Sequence, residues 1–144
     1  MKQSGAENIL ELATTLKRWQ QVESLTIAHT TAILERTKNP LIHLVMEIIR
    51  QDSTMHLHVQ QVMLDSLEKE DFRLIPEELT VIWEMIEQHA EMEKESVALG
   101  ERALRSTPLY FQRQLLAYLM EDEKKHVRLL EQLEDFKRKI SSQT

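Results

Sequence analysis

The chain has 144 residues, a length that fits a single domain able to hold its own core. It contains no Cys, two Gly and three Pro, which excludes disulfides, thiolate metal sites and cysteine nucleophiles and argues against hairpin-rich β folds and glycine-dependent phosphate loops. Eighteen Lys and Arg against 24 Asp and Glu give a net charge of −6, so no basic footprint for nucleic acid is present.

In chain order, Met1–Gly5 lacks a basic-then-apolar leader, and the absence of Cys fits a reducing cytosol, so a cytoplasmic protein is expected. The first predicted helix covers 6–38, with Ile9, Leu12, Leu16, Trp19, Ile27 and Leu34 at three- to four-residue spacing. Asn39-Pro40 reads as an N-cap followed by proline at the first helical position, and opens a second helix over 40–68. Its stripe is Leu41, Val45, Ile48, Val59 and Met63. Residues 69–75 read as a loop. Pro76-Glu77-Glu78 opens a third helix over 76–106, with two acids at the positive end of its dipole and a stripe of Leu79, Ile82, Ile86, Ala90, Val97 and Leu104. Thr107-Pro108 reads as the cap of a fourth helix over 108–140, striped by Leu115, Leu119, Leu129, Leu133 and Ile140. The polar tail 141–144 is expected to fray. No apolar run is long enough to span a membrane, so no membrane partner is expected.

Four stripes predict an all-α fold, a single domain over 1–144 made as an antiparallel four-helix bundle with the striped residues as its core. The second connection is too short for a crossover: helices of about 30 residues are ~45 Å long, whereas seven to nine extended residues reach ~30 Å. Up-down-up-down topology follows.

Ionisable residues interrupt each stripe: Glu23 in the first helix, Asp52 and His56 in the second, Glu93 in the third, Glu123 and His126 in the fourth. A carboxylate on an inner face is expensive unless paired, neutralised or bound to a metal. Counting residues from the helix ends puts all of them within about two turns of one mid-bundle layer. Displacing the chain by 70 residues lays Glu23 on Glu93, Asp52 on Asp122 and His56 on His126 without a gap, which predicts a duplicated helical hairpin over 6–68 and 76–140. Helical periodicity explains apolar matches in such a shift but dictates no histidine.

The pattern resembles the ferritin-like di-iron carboxylate proteins, rubrerythrin and bacterioferritin relatives above all. Their site takes a Glu from each of two helices and a Glu-x-x-His from each of the other two. By that resemblance Glu23, His56, Glu93, Glu123 and His126 would be metal ligands. Asp52 and Asp122 would be acceptors that fix the imidazole tautomers. Ser53 stands where the second motif has its bridging glutamate, and the short 69–75 connection departs from the long ferritin crossover, so altered connectivity or a swapped homodimer is expected. Asp52 and His89, the latter four residues before Glu93, are the available substitute ligands. The resemblance implies one or two iron ions, with manganese or zinc suiting the same oxygen and nitrogen donors. It also implies iron oxidation or reduction of oxygen or peroxide, with electrons from an external donor because the Cys-rich domain of rubrerythrins is missing. The competing expectation is a structural or interaction bundle in which the same residues form a buried hydrogen-bonded network. A hemerythrin-like oxygen carrier shares the topology, but its histidine-rich ligand set is not met. His29, His43 and His58 fall off the inner stripes and are expected to be solvated, as is the acidic row Glu84, Glu87, Glu91 and Glu95.

Overall fold

The structure is a computed structural model that describes residues 4–68 and 74–141. It is all-α, with helices α1 (Gly5–Arg36), α2 (Pro40–Glu68), α3 (Pro76–Arg105) and α4 (Tyr110–Ser141). Residues 69–73 of the expected loop, the tail 142–144 and the side chain of Ile140 lie outside the described residues.

Local chemistry sets the helix starts. Ser4 and Glu7 form a reciprocal capping box, the Ser4 hydroxyl accepting from Glu7 N–H and the Glu7 carboxylate accepting from Ser4 N–H. Asn39 Oδ1 accepts from the N–H groups of Leu41 and Ile42 at 3.0 and 3.1 Å, so it caps α2. At α3, Pro76 occupies the start with no side-chain cap, and Glu77 and Glu78 complement the dipole. The start of α4 differs from the expected Thr107-Pro108 cap. The Thr107 hydroxyl donates backwards to Ala103 C=O at 2.6 Å, closing the end of α3, and the carbonyl of Leu109 accepts the N–H of Arg113. The helix therefore begins at Tyr110, two residues later than expected.

The chain divides into two compact units, Met1–Phe72 and Arg73–Thr144, each an antiparallel helical hairpin. In the first, Gln20 pairs with Gln61, Glu23 with His56, and Thr31 with Arg50, so α2 descends as α1 rises. Leu16 and Leu34 are buried between the helices, with Glu23, Thr30, Ser53 and Gln60 beside them. In the second, Lys137 lies over the Trp83 ring at 4.0 Å, Glu93 meets His126, and Gly100 faces Met120. A Cβ at Gly100 would stand 3.0 Å from Met120 Cγ, so a larger residue there would require the Met120 side chain to shift by a few tenths of an ångström. Leu79 is the buried apolar residue of this unit among the described residues.

Much of the expected core is not buried. Ile9, Leu12, Trp19, Leu41, Val45, Val59, Met63, Ile82, Leu119 and Leu129 are exposed. Within a hairpin, one helix on the other covers a single line of ridges and grooves, narrower than the apolar stripe of at least ~100° that these sequences carry. Among the described residues no helix is long and apolar enough to cross a membrane.

Candidate metal centre

The two hairpins repeat one contact. His56 Nδ1 lies 3.1 Å from Glu23 Oε1, and His126 Nδ1 lies 3.3 Å from Glu93 Oε2; each pair is 33 residues apart. Both carboxylates sit at the helix–helix seam, Glu23 at 7% exposure and Glu93 at 9%. The imidazoles lie at the rim, His56 more exposed than His126. Histidine is long enough to keep its ring at the edge while Nδ1 reaches inward, which is how a carboxylate with almost no water contact is satisfied.

Beyond this shared pair the hairpins differ. In α3–α4, Glu123 precedes His126 by three residues and places Oε2 3.8 Å from its Nδ1. One donor atom each from Glu93, Glu123 and His126 lies within 4.8 Å of the others. His89 Nε2 approaches Glu93 Oε1 at 2.9 Å, and Asp122 Oδ2 stands 3.7 Å from His126 Nε2 while its Oδ1 accepts from Lys125 at 2.7 Å. In α1–α2 the position of Glu123 is held by Ser53, buried and without a carboxylate. Asp52, expected to orient His56, is exposed and makes no hydrogen bond or ion pair among the described residues. The sequence-expected ligands are thus brought together as a trio in α3–α4 and as a pair in α1–α2.

The trio is electrostatically coupled. A hydrogen bond from the Glu123 carboxyl holds Glu93 below its ordinary value; burial opposes this, and His89 and His126 reinforce it. The same bond to Glu93 pushes Glu123 up, with burial and the Glu93 charge acting in the same direction. Of the two carboxyls, Glu123 is the one that holds a shared proton to the higher pH. Sequence reading named all three residues of the trio but gave no sign of this shared proton, which depends on the separation of two helices.

An open pocket of about 300 Å³ reaches the group, lined by His89, Glu93, His126, Leu129 and Leu130. A larger cleft of about 660 Å³ on the same hairpin is lined by Lys94, Val97, Glu121, Lys124, Val127 and Arg128, and holds none of the trio. Of the remaining histidines, His29 and His58 are exposed, and His43 is half-exposed with Glu47 3.4 Å away. The acidic row on α3 is exposed; Glu87 accepts from the Trp83 indole and Glu91 from Lys94.

Compared with known proteins, the chain matches no protein family, no curated protein and no solved structure. Its fold and site define an all-α protein of two helical hairpins, one of which carries a carboxylate–carboxylate–imidazole cluster.

Proposed function

We propose that the chain is a metal-binding protein of the rubrerythrin-like and ferritin-like kind, with the ion held in α3–α4 by Glu93, Glu123 and His126. The observation that carries this reading is the mutual approach, within 4.8 Å, of two carboxylate oxygens and an imidazole nitrogen at the mouth of an open pocket. Two hard oxygens and one borderline nitrogen suit iron(II), manganese(II) or zinc. Three protein ligands with open pocket on one side leave positions for water or a small substrate. A divalent cation would replace the shared proton and relieve the repulsion between the two carboxylates. His126 would bind through Nδ1, leaving Nε2 on the side of Asp122, whose Oδ2 lies 3.7 Å away. Iron in such a donor set supplies oxygen- or peroxide-reducing chemistry, and this chain, having no cysteine, would draw electrons from another protein or a small reductant.

A second reading is favoured by the α1–α2 hairpin. There, among the described residues, Glu23 is met by His56 alone and Ser53 offers no carboxylate, so the pair serves as a buried hydrogen bond that sets helix register. Extended to both hairpins, this makes the chain a structural or interaction module. Metal analysis of the protein purified without chelator, followed by anaerobic iron(II) titration, separates the two. Stoichiometric metal that is lost in Glu123→Ala and His126→Ala supports the site; a wild-type chain that takes up no iron or manganese refutes it.

A further inference from the structure

The shorter imidazole contact on Glu93 comes from outside the trio. His89 lies one turn before Glu93 on α3 and places Nε2 2.9 Å from Oε1, while His126 Nδ1 faces Oε2 at 3.3 Å. A single carboxylate therefore meets an imidazole on each oxygen. Because an ionised carboxylate only accepts, the His89 nitrogen at this contact is the one that bears hydrogen. The 70-residue displacement puts Trp19 opposite His89 and Ser53 opposite Glu123. Two ionisable groups of the second hairpin that the first lacks at the matching places thus converge on the same carboxylate.

We propose that His89 is a positioning residue of the metal site, an inference that rests on the metal-binding reading above. Its Nε2–H holds Glu93 Oε1 and leaves Oε2 directed at Glu123 and His126, so Glu93 enters coordination through one oxygen in a fixed rotamer. Helical spacing supports this, since residues four apart share a face and the contact requires no other element. His89 is not itself within the mutually close group of donors, which consists of Glu93, Glu123 and His126. Partners of this kind, which touch a ligand rather than the ion, characteristically govern affinity because they remove the freedom the ligand would lose on binding.

The test is a cobalt(II) titration of the full chain, followed by visible absorption, for wild type, His89→Ala and His89→Gln, with far-UV circular dichroism of each metal-free protein. His89→Ala is expected to weaken cobalt binding by roughly 10–100-fold. His89→Gln, whose amide N–H can reach the same oxygen, is expected to restore most of the loss, and its saturated spectrum should coincide with wild type because no ligand to the ion has changed. Unaltered affinity in His89→Ala overturns the inference. So does His89→Gln if it binds as weakly as His89→Ala and shows shifted bands, because a direct ligand would behave that way. A wild-type chain that binds no cobalt overturns the metal-binding reading and this inference with it, whereas wild-type binding with either of the first two results overturns the inference alone.

Discussion

Glu93 and Glu123 show how the same bond moves two identical groups in opposite directions. Glu93, held low, contributes stability that is present above the unfolded carboxylate value and lost as pH falls through its lowered value. Glu123, pushed up, contributes stability that is present below the unfolded value and lost as pH rises through its raised value. The metal-free α3–α4 hairpin is therefore most stable while the pair holds one proton, and weakens as pH climbs past Glu123. Glu123→Gln cannot lose that proton and still offers an N–H to Glu93. Urea denaturation in the presence of chelator, repeated across pH, is expected to show wild type losing stability relative to Glu123→Gln on the alkaline side only. Metal affinity should run the other way, rising by about tenfold per pH unit while the ion displaces the one proton. Gln60 presents a different problem at the same scale. It is 3% exposed, and its Oε1 is buried without a hydrogen-bond partner among the described residues. Its counterpart 70 residues on is Leu130, so the fold accepts an apolar side chain at that place. Gln60→Leu is expected to stabilise α1–α2 by about 1 kcal/mol, read as a higher urea midpoint.

Among the elements, legibility followed locality. The starts of α1, α2 and α3 are decided within four residues, by a capping box, an asparagine cap and a proline, and the start of α2 read from Asn39-Pro40 is the one observed. Thr107-Pro108 has the same form in sequence but another outcome, because a threonine hydroxyl can accept from the following helix or donate to the preceding one, and here it donates to Ala103. That choice depends on where α3 stops, which no two-residue signal contains. The pair predicts a contrast. Asn39→Ala leaves two N–H groups of α2 without their acceptor and should cost about 1 kcal/mol in denaturant unfolding. Thr107→Ala, which removes no helix cap, should cost less than half as much. If the two substitutions cost the same, Thr107 acts on α4 after all. The Glu–His pairs were legible for a comparable reason: polar residues at matching spacing in two halves cannot be produced by apolar periodicity. The failure of Asp52 to reach His56, while Asp122 does approach His126, was not legible in the shared Asp–His spacing; the residues between differ, and Asp122 is held by Lys125 where the first hairpin has Met55.

At the scale of the whole molecule, periodicity identified which residues share a face and left open what covers them. Leu12, Trp19, Val45 and Leu119 lie on their predicted stripes and are exposed nonetheless, because the seam within a hairpin is narrower than the stripe. Within α3–α4 the described residues include one buried apolar side chain, Leu79, a small core for a unit of this length. Isolated as a peptide, residues 74–144 should therefore be only partly helical without metal. All three candidate ligands belong to this hairpin, so metal and folding are linked within it: an ion that binds the folded form and not the unfolded one adds about 2.7 kcal/mol at a hundredfold excess over its Kd. Zinc or cobalt(II) is expected to raise the helicity of the 74–144 peptide in far-UV circular dichroism. The equivalent peptide of residues 1–68, which has Glu23 and His56 but Ser53 in place of a carboxylate, should not respond. Ser53→Glu would supply α1–α2 with the missing donor and is expected to make the 1–68 peptide metal-responsive and to raise the metal content of the full chain by one equivalent. A 74–144 peptide indifferent to metal while the intact chain binds it would show that one hairpin does not suffice. A Ser53→Glu chain that folds yet gains no metal would show that the duplicated Glu–His pair is a register device and not half of a binding site.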